Sequence, residues 1–183
     1  MLGALIVILI IVAAIVFWAI SSYNGLVRAR REVDNSFGQI DVQLKRRYDL
    51  IPNLVETVKG YMRHEQDTLE KVISARNRAV SATGVHDKGV AEADVQRALN
   101  GVFALSEAYP ELRSNENMLS LQEELKSTEN KVAFARQYYN DAVTSYNTRI
   151  ETFPNSLWAS GFKPKELFVI ENEVEREAVK VSF

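Results

Sequence analysis

The chain has 183 residues, with 22 Lys and Arg against 24 Asp and Glu, for a net charge of -2. That balance excludes both a molecule-wide basic surface for nucleic acid and an acidic, solvating chain. There is no cysteine, so disulfides and thiolate metal ligands are excluded while the compartment stays open. Gly and Pro number only 8 and 4, and the remainder is rich in helix formers, which favours helix over strand.

The first element is an apolar run from Leu2 to Ile20 with no charge and no strongly polar group. At about 1.5 Å per residue it approaches the hydrocarbon thickness of a bilayer. Trp18 and Tyr23 stand at its C-terminal end, where aromatic rings prefer the membrane interface. A cleaved signal peptide is the rival reading. It requires a positive leading segment, yet the first basic side chain is Arg28, and Ala19-Ile20-Ser21 is a poor cleavage site. The retained anchor, residues 1–22, is therefore the expectation. Arg28, Arg30 and Arg31 follow the run directly. The positive-inside rule then places the rest of the chain in the cytoplasm, with the N-terminus outside and a single pass through the cell membrane.

Residues 23–168 read as one helical domain. Phe37, Leu44, Ile51 and Val58 recur every seven residues, and Tyr48, Val55, Met62 and Leu69 form a second such set. Together they alternate by four and three, the stripe of a helix packed on other helices. The stripe keeps its phase through Pro52. This leaves two readings: a kinked helix that reverses near Gly60 to Glu65, or a turn at Asp49 to Pro52 with a new helix after it. Ser81 to Lys88 loses the pattern and reads as a loop around Gly84. The next helix carries Ala91, Val95, Ala98, Val102, Leu105 and Tyr109, and Pro110 ends it.

Ser114 to Asn117 offers helix-starting caps. The last long helix carries Met118, Leu125, Val132, Tyr139, Tyr146 and Phe153 seven apart, with Leu121, Thr128, Ala135 and Ala142 as a smaller companion set that permits close helix approach. No useful length alternates with period two, so no substantial sheet is expected. The fold class is all-α: an N-terminal transmembrane helix followed by an antiparallel, up-and-down four-helix bundle with long, coiled-coil-like helices. After Phe153 a turn-rich hook brings Leu157, Trp158, Phe162, Leu167 and Phe168, expected to pack over one end of the bundle. Residues 169–183 form a tail ending in Phe183.

Three segments carry a resemblance: DVQLKRRYDLIPNLVETVKGY (Asp41 to Tyr61), YPELRSNENMLSLQEELKSTENKVAFARQYYNDAV (Tyr109 to Val143) and YNTRIETFPNSLWASGF (Tyr146 to Phe162). In content and order they resemble the bacterial LemA family, over essentially Tyr23 to Phe168. The resemblance implies a membrane helix and a four-helix up-and-down bundle. It carries no catalytic residues to this chain.

Candidate sites are few. His64 and His86 lack the Glu-x-x-His spacing of bundle metal sites, since Tyr61 and Thr83 stand three residues before them, and no phosphate-binding loop is present. No metal, cofactor or catalytic residue is expected. Arg28, Arg30 and Arg31 are candidate contacts to anionic head groups. Lys45, Arg46 and Arg47 read either as an interaction surface or as a solvated helix face paired with acidic neighbours on the last long helix. In a straight helix Arg46 stands about 35 Å beyond residue 22, several Debye lengths from the membrane.

Tyr138 and Tyr139 cannot both face the core, so one of them is expected at a groove or interface. Asn53, Asn115, Asn117, Asn130, Asn140 and Asn147 divide between caps or exposed positions and register-fixing buried hydrogen bonds, with Asn130 and Asn140 off the main stripe. Tyr138, Trp158, Phe134 and Phe183 complete the candidate interaction surface. The expected function is a non-enzymatic, membrane-anchored helical scaffold or interaction protein. Its partners would be the lipid bilayer, further copies of itself as a homo-oligomer, and another protein, but not nucleic acid. The alternative is a lipid- or envelope-associated structural protein that organises or shapes the membrane.

Overall fold

The computed structural model describes residues 2–62 and 64–170, and Phe183, expected in the interaction surface, lies outside the described residues. The described chain is helical with no strand. Its helices are α1 (Leu2–Lys59), α2 (Gln66–Ser81), α3 (Val85–Ser106), the single turn α4 (Pro110–Arg113) and α5 (Glu116–Glu151). Two 3-10 turns, Asn155–Leu157 and Ala159–Gly161, follow α5. The four long helices run up and down, as the heptads require.

The apolar run and the first bundle helix are one continuous helix of 58 residues. Pro52 sits inside it, which decides between the two readings of that segment. Without an N–H, Pro52 leaves the carbonyl of Tyr48, four residues back, without its helical donor. Arg76 of α2 takes that place, its Nε donating to the Tyr48 carbonyl at 3.4 Å. The core stripe passes the proline in phase: Leu44, Tyr48, Ile51, Val55 and Val58 are all buried. The reversal falls after Lys59, where it was expected.

Three boundaries differ from the sequence reading. α3 ends at Ser106, so Tyr109 lies beyond it, and Pro110 opens the single turn α4 instead of ending the helix. Only Ala82 to Gly84 separate α2 from α3, and Gly84 turns the chain at φ +86°, a left-handed conformation that glycine adopts without a side-chain clash. Residues 85–88 lack the apolar pattern because they form the first turn of α3, at the edge of the core. Phe153 is 76% exposed rather than in the heptad core, because α5 ends at Glu151 before the heptad is complete. Asn115 caps α5 as expected, its Oδ1 accepting from the Met118 N–H at 3.1 Å.

Lengths explain the rest of the architecture. Beyond residue 22, α1 extends about 56 Å, and the 36 residues of α5 span about 54 Å. These two pair along their whole length. The α2–α3 hairpin reaches only about 24–33 Å, so it covers just the half of the pair farthest from the apolar run. The remaining half is covered by extended chain, residues 162–170, which spans about 27 Å. The end of that chain abuts the start of α3 so closely that a Cβ on Gly89 would stand 2.2 Å from the Val169 carbonyl oxygen. Phe162 and Phe168 of this segment are buried while Leu157 and Leu167 are exposed. The C-terminal segment therefore lies along the bundle instead of closing one end.

Candidate functional surfaces

Four groups of polar and aromatic side chains stand out, and three of them hold the fold together. The first is a buried network between α1 and α3. Arg47 is 3% exposed and Glu92 0% exposed, and they form an ion pair. Arg47 also donates to the Gln96 Oε1, and the Tyr48 hydroxyl donates to the second Glu92 oxygen at 2.8 Å. This corrects the reading of the basic triplet. Lys45 and Arg46 are exposed, but Arg47 is inside, and its partner is on α3 rather than on the last long helix.

Burial pushes the Tyr48 phenol far above its usual value, and the facing Glu92 carboxylate adds to this. Burial also pushes the Glu92 carboxyl up, while Arg47 and Tyr48 draw it back. Close by, Lys88 pairs with Asp41 and stands 5.1 Å over the Phe37 ring. Such a network fixes how α3 sits on α1, since any slip strands a charge without its partner.

The second group is a ladder on α5. Asn140 and Asn147 each hold the extended segment through two hydrogen bonds. Asn140 donates to the Phe168 carbonyl (3.1 Å) and accepts from the Phe168 N–H (2.8 Å). Asn147 does the same with Lys165, both at 2.9 Å. The neighbouring Tyr139 and Tyr146 hydroxyls donate to the carbonyls of Glu166 and Lys163 at 2.8 and 3.1 Å. The spacing is a geometric match: seven helical residues rise about 10.5 Å and three extended residues about 10 Å. Every one of these bonds goes to main chain, so α5 reads the segment's backbone and not its side chains. Burial pushes the Tyr139 phenol up to about 12, with Glu166 adding to it.

The third group is a collar at the end of the apolar run. Trp158 meets Trp18 edge to face at 6.1 Å between centroids, and its Nε1 donates to Ser22 Oγ at 3.1 Å. Ser22 in turn donates to Asn155. Tyr23 packs on Phe162 at 5.5 Å, and Arg30 stands 5.5 Å over the same ring. Of the three candidate head-group contacts, Arg28 and Arg31 are exposed while Arg30 is half-buried.

The fourth group is an open face along α1 and α5, on which Val42 and Phe134 are exposed, Phe134 by 72%. They line a depression of about 570 Å³ with Gly38, Gln43, Lys131 and Tyr138. Among the described residues the buried Gln43 Oε1 finds no hydrogen-bond donor. Tyr138 is the outward member of the tyrosine pair and hydrogen-bonds Glu32 at the rim, whereas Tyr139 is buried. Among the described residues no group of three or more His, Asp and Glu is placed to hold a metal ion.

Sequence reasoning missed Glu92, Asn140 and Asn147 as a working set. Arg47 did have a signal, because Ile40, Leu44, Arg47 and Ile51 continue the four-three stripe. The pair of Tyr-Asn dipeptides seven residues apart was also visible, but nothing local said what they would hold.

Fold and surfaces together describe an all-α protein in which a helix long and apolar enough to cross a membrane continues directly as the first helix of a four-helix bundle. Residues 36–183 match the LemA family, and the chain belongs to it. It is similar to the protein named Protein LemA from Metamycoplasma hominis, with 26% identity over 164 residues, covering 87% of this chain and 74% of the relative.

Proposed function

We propose that this chain is a non-enzymatic scaffold, anchored in the cell membrane by the N-terminal part of α1, that associates with further copies of itself through the open α1/α5 face. The bundle lies in the cytoplasm, consistent with the arginines that directly follow the apolar run. The observation that carries the reading is that open face. Phe134 and Val42 are exposed and line one depression between α1 and α5. An exposed apolar patch on a helix face that the rest of the bundle leaves uncovered is the form of an interface without its partner. Anchoring favours a second copy as that partner, because it confines the copies to one plane in one orientation and raises their effective concentration.

The test is the mass of the full-length protein in mild detergent. A discrete multimer that falls to the monomer on Phe134→Glu is expected. A monomeric wild type would remove self-association and leave an adaptor for another protein.

A second reading is that the protein organises anionic lipid. It is favoured by Arg28 and Arg31, which stand exposed just past the apolar run. Here Arg28→Glu/Arg31→Glu would reduce the anionic lipid retained by the detergent-extracted protein. Unchanged retention would count against this role.

A further inference from the structure

We infer that the hook after α5 is a second membrane contact, with Phe153 and Leu157 seated in the interfacial layer of the bilayer beside α1. The inference rests on the reading of residues 1–22 as a membrane anchor and adds a site that the anchor does not require.

Trp158 packs on Trp18 and donates to Ser22, which donates to Asn155. Trp18 and Ser22 are about 6 Å apart along the helix axis, and the apolar run ends between them, at Ile20. The hook is therefore pinned at the level where the run gives out, which is the level of the membrane–water interface.

Phe153 and Leu157 are 76% and 65% exposed, while Phe162 of the same hook is buried. The end of α5 at Glu151 and the turn through Pro154 take Phe153 out of the heptad core and leave it on the outside. An aromatic and an aliphatic side chain displayed together at this depth meet lipid, not water.

Trp18 lies within the apolar run, and the exposed cations Arg28 and Arg31 stand about 15–20 Å farther along the axis. Between them lies the hook, with apolar side chains outward and the Trp158 ring carrying one polar N–H. Apolar, then aromatic, then cationic is the sequence of layers through a bilayer interface. A hook bound at this level holds α1 by two points instead of one, so the tilt of the bundle on the membrane is fixed rather than free.

The absence of cysteine makes the test direct. Single-cysteine variants Phe153→Cys and Leu157→Cys of the full-length protein are spin-labelled and reconstituted in phosphatidylcholine–phosphatidylglycerol vesicles. Ile10→Cys and Glu123→Cys serve as bilayer and water references. Collision rates with oxygen, which concentrates in lipid, and with a water-soluble nickel chelate are compared. The labels at 153 and 157 are expected to give an oxygen-to-nickel ratio well above that at 123 and below that at 10.

A ratio equal to that at 123 places the hook in water and overturns the inference. Protection from both reagents together with spin–spin coupling between copies places it in a protein interface and also overturns it. The label at 10 separates the two readings. If it lies in lipid while 153 and 157 do not, the anchor stands and the hook fails. If it lies in water, both fall.

Discussion

Replacing Arg47 by methionine tests the buried network most sharply. Methionine keeps much of the side-chain volume but removes the cation, leaving Glu92 buried at 0% exposure with only the Tyr48 hydroxyl and no countercharge. Breaking a fully buried ion pair from one side costs about 3–5 kcal/mol. For a domain of this size that corresponds to a fall in Tm of about 6–20 °C, read by circular dichroism on the detergent-solubilised protein.

The sign of the pH dependence follows from Glu92. Its carboxyl is already held above the ordinary range by burial, and losing Arg47 raises it further. A carboxyl whose folded pKa exceeds its unfolded value contributes stability that is present below the unfolded value, about 4.3, and lost as pH rises toward the folded value. The deficit of Arg47→Met is therefore largest at neutral pH and shrinks on acidification. Adding Glu92→Leu removes the stranded carboxylate and brings stability back to within about 1–2 kcal/mol of wild type. A neutral-pH loss below about 1 kcal/mol, the level of an exposed pair, or a deficit that grows on acidification, would refute the reasoning.

Other expectations follow from the ladder and the proline. Asn140→Ala/Asn147→Ala removes four hydrogen bonds to the extended segment, and at about 1 kcal/mol each this frees residues 163–170. Trypsin should then cut after Lys165 much faster, while Lys163 stays protected by Pro164; unchanged cleavage would show that the segment is held by its phenylalanines alone. Gly89→Ala should release the same segment from the other side, because the new methyl would stand 2.2 Å from the Val169 carbonyl oxygen. Alanine is favoured over glycine in a helix by about 1 kcal/mol, so a net gain in stability would contradict the close approach. Pro52→Ala restores a donor to the Tyr48 carbonyl, so Arg76→Ala should cost less in that background than in wild type. Equal costs in a double-mutant cycle would mean that Arg76 does not substitute for the missing N–H.

The bundle could be read from the sequence because its signals are local. Seven-residue spacing keeps Met118, Leu125, Val132, Tyr139 and Tyr146 on one face whatever the partner is, and Asn115 caps a donor only three residues on, the Met118 N–H. The polar sites could not be read in the same way because their halves are far apart in the chain. Arg47 looked like part of a solvated triplet until Glu92, 45 residues away, gave it an anion in the core. Asn140 and Asn147 looked like surface or register residues because their partners are main-chain atoms of a segment with no pattern of its own. A helix that holds extended chain by its side chains imposes no period-two alternation, so the segment after Phe162 gave no strand-like signal. The depth of Trp158 emerged only when α1 and the hook were seen side by side.

The most direct test of the scaffold reading is cross-linking in the membrane itself. Phe134→Cys, placed in the otherwise cysteine-free chain, is treated with a short bifunctional maleimide in intact membranes, beside Lys126→Cys on the same helix as a reference. Efficient linkage between two copies at 134 and little at 126 is expected. Equal, low linkage at both positions in membranes that hold the protein at its normal density would contradict the scaffold reading.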